Sequence, residues 1–176
     1  MLSYSQIEEN KSKIISLLNS TGRKGMENVV RYLDKNGFFI VPSSRERHHN
    51  WKGGLAQHSL GVYERLSKTG ESLPPDSRII VSLLHDICKT RRLYYDEHGH
   101  LHNRQLHIPG HGYRSVKILE NLGLDLKDDE RGAIRWHMGG YNIDKSEIRD
   151  FFKTKKSDLW RLHHNADRYD ASHNGK

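Results

Sequence analysis

The sequence predicts a mainly α-helical bundle formed by one domain, residues 1–176. Two patterns argue for it: apolar residues recur at three- and four-residue intervals in successive segments, and Gly or Pro punctuates the joints between them. Composition is the third argument. Only 34% of residues are hydrophobic and the mean hydropathy is −0.85, which calls for an economical core under a very polar exterior.

The first helix runs from Ser3 to about Asn19, where Ile7, Ile14, Ile15 and Leu18 share a stripe. Both Ser3/Gln6 and Ser5/Glu8 have the spacing of a capping box. Met26, Val29, Val30 and Leu33 mark a second helix, stopped by Gly37 after Asn36. Residues 38–53, FFIVPSSRERHHNWKG, lack a helical period and contain Pro42, so a long loop is expected. Residues 1–50 are thus N-terminal helices and a loop ahead of a core at 51–172. From Gly54 to about Lys68, Leu55, Val62 and Leu66 share a helix with His58, and Gly70 ends it. Pro74 and Pro75 introduce a helix whose Ile79, Ile80, Leu83, Leu84 and Ile87 form a stripe up to Lys89, with His85 and Asp86 in its last turn. Residues 93–110 read as a small hairpin or an irregular insertion around Gly99. Helical spacing returns with Val116, Leu119 and Leu122 before Gly123, again from Asp129 to His137, and finally from Asp158 to about Ala171.

Cys88 is the single cysteine and cannot form an internal disulfide; it reads as a small core residue. No signal-peptide h-region and no apolar run of about 20 residues is seen, so a cytoplasmic protein with no membrane partner is expected. The formal charge of +7 and a pI near 9.5 favour anionic partners, a phosphorylated small molecule or nucleotide first and nucleic acid second. Trp51, Trp136 and Trp160 are read as packing anchors ahead of base-stacking platforms.

The stretch SLLHDICKT, residues 82–90, sets His85 and Asp86 directly after an apolar run. Burying that pair costs several kcal/mol unless a counter-charge, a hydrogen-bond network or a metal compensates. Among thirteen histidines, His58, His85, His111 and His137 join Asp86 and Asp167 as candidate ligands from separate segments. Such a nitrogen and oxygen set suits Mn, Fe, Zn or Ni better than Ca.

These segments resemble, in order, the HD superfamily of metal-dependent phosphohydrolases: GGLAQHSLGV at His58, LLHDICKT at His85 and Asp86, and NADRYDAS at Asp167. PGHGYRS at His111 and IRWHMGG at His137 resemble the additional histidines of its two-metal branch. The series is similar to the HD domain of a bacterial 3′–5′ exoribonuclease family, whose separate oligonucleotide-binding domain is not part of these 176 residues. It is also similar to HD-type dinucleoside tetraphosphate hydrolases and, more loosely, to cyclic-dinucleotide phosphodiesterases, without the GYP element of the latter.

The resemblance implies an all-α fold binding one or two divalent ions per chain (Mn, Fe, Ni, Zn or Mg). His58, His85, Asp86 and Asp167 would hold one ion, and Asp86 would bridge to a second held by His111 and His137. Ions about 3.5–4 Å apart acidify a bridging water and neutralise charge developing on phosphorus. Asp86 and Lys89 are the catalytic candidates, Lys89 either meeting a substrate phosphate, holding the Asp86 carboxylate, or lying solvated at a helix end. Lys52 and Arg114 are further candidates for phosphate contact, with solvated charges as the alternative. His163, four residues before Asp167 on the same helical face, is a candidate supporting partner or competing ligand, with a surface or packing histidine as the alternative, and Asp170 reads as a solvated or hydrogen-bonded helix-end residue. His98, His100, His102 and His107 crowd the insertion, as a solvated surface or a lid over the site. The expected activity is hydrolysis of a phosphoester or phosphoanhydride in a nucleotide or short oligonucleotide. The rivals are a one-metal 5′-nucleotidase, with His111 and His137 on phosphate, and a nucleotide-binding regulatory module without turnover.

Overall fold

The structure, a computed structural model, describes residues 2–104, 110–140 and 143–175. Its fold is all-α, with eight α-helices and one two-stranded hairpin among the described residues. Helix α1 (Tyr4–Ser20) uses the first of the two capping boxes: the Ser3 hydroxyl accepts from the Gln6 N–H and the Gln6 side chain accepts from the Ser3 N–H. Ile14 and Leu18 of α1 bury against Val29 and Leu33 of α2 (Met26–Lys35) in the common core.

Residues 38–53 form turns, as their missing period foretells, yet Phe38, Phe39 and Val41 are buried. Two backbone bonds, Gly53 N–H to the Ile40 carbonyl and Leu55 N–H to the Val41 carbonyl, seat the segment beside α3 (Gly54–Thr69). Helix α3 packs on α4 (Pro75–Leu84) and on α8 (Asp158–His173). Helix α6 (Asp128–Arg135) packs on α8 and on α5 (His111–Asn121).

Helix α4 stops earlier than its apolar stripe suggests. His85 is its cap, Asp86 leaves the α region at φ −105° and ψ 13°, and a 3-10 turn follows over Ile87–Arg91. Two bonds accompany the change: the Cys88 N–H is donated to the Ser115 hydroxyl of α5, and the Lys89 N–H closes a tighter turn on the Asp86 carbonyl. His85 thus keeps its helical backbone and its N–H bond to the Val81 carbonyl, and Asp86 is the residue at which the chain turns away from the helix. His137 likewise lies just past the end of α6, after Trp136.

The insertion is a hairpin, β1 (Leu93–Tyr95) against β2 (Leu101–Asn103), antiparallel with Tyr94 opposite His102. The half-buried Asp96 side chain accepts from the His98 and His100 N–H groups and contacts His102 Nε2 at 2.8 Å. These contacts place the three histidines around the turn; His107 lies outside the described residues. Sequence periodicity misses α7 (Ile148–Thr154), seven residues with Phe151 alone buried. Away from the histidines, Arg23 bonds to Glu130 and Asp76, and the Ser77 hydroxyl donates to Glu130, tying the approach to α2 to the starts of α4 and α6. No helix among the described residues is long and apolar enough to cross a membrane.

Candidate metal centre

Five segments bring the six candidate ligands together around Asp86. Its Oδ1 lies 2.5 Å from His111 Nε2 and 3.4 Å from His137 Nε2. Its Oδ2 lies 2.5 Å from Lys89 Nζ, 3.4 Å from His85 Nε2 and 3.8 Å from His58 Nε2. Asp167 Oδ1 approaches from α8, 3.1 Å from His58 Nε2 and 3.8 Å from His85 Nε2. Two overlapping triads, His58/His85/Asp167 and His85/Asp86/His137, each hold three ligand atoms within 4.8 Å of one another.

The imidazoles are aimed by their rear nitrogens. His85 Nδ1 donates to the Ser82 carbonyl at 2.9 Å, and His137 Nδ1 donates to the Ile134 carbonyl at 2.7 Å. His58 Nδ1 donates to Asp170 at 2.7 Å. In a neutral ring this fixes the bare lone pair on Nε2. The Nε2 atoms of His58, His85 and His137 are buried and have no hydrogen-bond partner. Burial without a partner costs free energy that a cation recovers, and a hydrogen bond on the opposite nitrogen is how metal-binding histidines are oriented. The residues thus fit a divalent transition ion. His111 is held differently, by Cys88 Sγ, 3.1 Å from its Nδ1.

Charge is balanced without the ion by protons. Burial opposes protonation of His58, but the carboxylates of Asp167 and Asp170 outweigh it and push the ring up to about 9 from an ordinary 6.5. Burial likewise opposes protonation of His111, and the charge of Asp86 raises it to about 9. Burial would raise Asp86, but Lys89, His85 and His111 hold it well below the usual carboxylate range; His58 does the same for Asp167. The two raised imidazoles stabilise the metal-free protein fully below about pH 6.5, and that contribution is lost as pH rises through about 9. Metal binding must displace these protons. At about pH 7.5, calorimetric titration of divalent ion in buffers of different ionisation enthalpy should register release of about two protons per chain. A heat independent of buffer would contradict this assignment.

Lys89 is no solvated helix-end lysine. Its side chain is 13% exposed and donates to the Ser43 hydroxyl at 3.0 Å as well as contacting Asp86. His163 is fully buried with neither ring nitrogen partnered, its ring 5.1 Å from that of His85. Burial and then the charge of His85 push it well below its ordinary value, so it is neutral. Arg114 is half-buried one turn after His111, whereas Lys52 is exposed and has no contact with the six ligands among the described residues. Trp136 and Trp160 are buried anchors; the Trp160 indole donates to the Trp136 carbonyl, bracing the turn that carries His137.

Sequence reasoning gave no role to His48 or His49 and did not connect Asp170 with His58. Asp170 is 1% exposed and holds His58; its place three residues after Asp167 on one helical face was the available signal. His48 and His49 come from the aperiodic loop, with rings 4.9 and 5.3 Å from that of His58. Burial, followed for His48 by the charge of His58, lowers both to about 4. Gly61 and Gly112 make room: a Cβ on Gly61 would meet Asp170 Oδ1 at 2.0 Å, and one on Gly112 the Arg135 carbonyl at 2.1 Å. Larger residues there would push Asp170 from His58 and α5 from the His137 turn.

A family model described as the HD domain matches residues 55–172. No curated protein and no solved structure matches the chain.

Proposed function

The chain belongs to the HD domain family, and from that premise we propose that it hydrolyses a phosphoester or phosphoanhydride bond of a nucleotide or short oligonucleotide in a metal-dependent reaction. The observation that carries the reading is the convergence of three buried Nε2 atoms on the carboxylates of Asp86 and Asp167, each ring fixed from behind. His58, His85, Asp86 and Asp167 would hold one divalent ion, and Asp86, His111 and His137 a second. When bound, such ions supply an acidified water as nucleophile and offset the charge that builds on the phosphoryl oxygens.

The chain's own groups do the rest. Asp86 offers one oxygen to each side of the centre, and its depressed pKa keeps both oxygens free of protons. Asp170 holds the His58 ring, and the Ser82 and Ile134 carbonyls hold those of His85 and His137, so little reorganisation is needed. Lys89 Nζ, anchored by Ser43, stands beside Asp86 where an ammonium can exchange its carboxylate contact for a phosphoryl oxygen. A one-ion variant has one observation in its favour, the direct His111–Asp86 bond, which ties His111 to Asp86 through a proton with no second ion between them.

The test is a turnover panel. Metal-stripped protein is reconstituted with Mn, Fe or Mg and offered nucleoside monophosphates, dinucleoside polyphosphates, cyclic dinucleotides and short single-stranded oligonucleotides. Metal-dependent release of product from at least one of them is expected. Bound metal with silence across the panel would favour the regulatory module.

A further inference from the structure

We propose that the groove between the 43–53 loop and α8 binds a second phosphate of the substrate, one that is not cleaved. The proposal rests on the phosphohydrolase reading and adds to it what the substrate must carry. The groove is a cavity of about 550 Å³, and its walls include Arg47, His48, Asn165, Arg168 and Tyr169. Asn165, Arg168 and Tyr169 lie at positions i, i+3 and i+4 of α8, on one face. Arg47 and His48 come from the loop opposite.

Three features point to an anion. First, no carboxylate is among the described residues that line the groove. Second, two arginines from opposite walls, Arg47 and Arg168, border the same groove, and neither has an acidic partner among the described residues. Two unpaired guanidinium groups facing one cavity suit bidentate phosphate binding. Third, the aromatic ring is already engaged: His173 stacks on Tyr169 at 4.1 Å and Arg65 lies 4.0 Å from its centroid. Tyr169 is therefore committed to contacts within the protein.

The groove is joined to the centre by one residue. His48 lines its wall, and the same ring lies 4.9 Å from that of His58. The loop is fastened in place by the Ser43 N–H on the His49 carbonyl, the His49 N–H on the Gly175 carbonyl and the Ser44 hydroxyl on the His48 carbonyl. The backbone that carries Arg47 is thereby fixed beside the C-terminal end of α8, and the Arg47 N–H bonds to the Ser44 hydroxyl, which lowers the ordering cost of binding.

A second phosphate occurs both in dinucleoside polyphosphates and in short oligonucleotides, and the experiment separates them. KM and kcat are measured for bis(p-nitrophenyl) phosphate, diadenosine tetraphosphate and a 5′-phosphorylated dinucleotide, with wild type, Arg47→Gln and Arg168→Gln. The expected result is a rise of about tenfold in the KM of one multi-phosphate substrate relative to that of the single-phosphate diester, with kcat kept. Whichever substrate responds identifies the source. Equal changes for all substrates, or none, would overturn the groove. If wild type hydrolyses none of them, the phosphohydrolase reading fails separately. Calorimetric binding of inorganic tripolyphosphate then decides the groove: about tenfold weakening in Arg168→Gln supports it, and unchanged affinity overturns it.

Discussion

Replacing Asp86 with Ala should abolish turnover, by about a thousandfold or more, while the helices remain. An outer residue that merely orients a ligand typically costs 10–100-fold in metal affinity or activity. Asp86 is the one carboxylate among the described residues within reach of His58, His85, His111 and His137 together, so its loss removes the group on which all four imidazoles converge. Removing it also strands the Lys89 ammonium, whose remaining partner is Ser43. Asp86→Asn separates the two effects, since it keeps the shape and removes the charge. Both variants should lose turnover and keep the far-ultraviolet signature of a helical protein. Normal turnover in Asp86→Asn would mean that the chemistry lies elsewhere.

The second large effect concerns the fold. Glu130 is completely buried and bonds to Arg23 at 2.8 Å, to the Ser77 hydroxyl at 2.7 Å and to the Lys127 N–H at 2.9 Å. Breaking a buried ion pair from one side costs about 3–5 kcal/mol, because the surviving charge stays desolvated. Asp76 still faces Arg23, so the lower end applies to Glu130→Ala. For a chain of this size about 3 kcal/mol lowers Tm by roughly 6–12 °C. Below its own transition the variant should bind metal as wild type does, because these bonds run away from the imidazoles. A thermal melt beside a metal titration checks both halves, and an unshifted Tm would show that the network contributes nothing.

The helices and the six converging side chains were legible because both leave local marks. Apolar spacing announces α1 through α6 and α8, and His58, His85, Asp86, His111, His137 and Asp167 fall in motif-bearing segments. What was illegible depends on partners distant in sequence. Helix α4 yields before Asp86, and the Cys88 N–H beyond it finds Ser115, 27 residues away. His48 and His49 stand in a stretch with no period and are placed by bonds to Gly175 and Ser43. Asp170 looked like a helix-end residue, yet its partner His58 is 112 positions earlier. Helix α7 buries Phe151 alone, too little to form a stripe.

The central claim is that buried imidazoles and carboxylates around Asp86 exist to hold divalent metal. It is tested most directly by elemental analysis of reconstituted, desalted protein beside Asp86→Asn. The account predicts two ions per wild-type chain and at most one, weakly held, in the variant. Equal metal content in both proteins, or none in wild type, would contradict it.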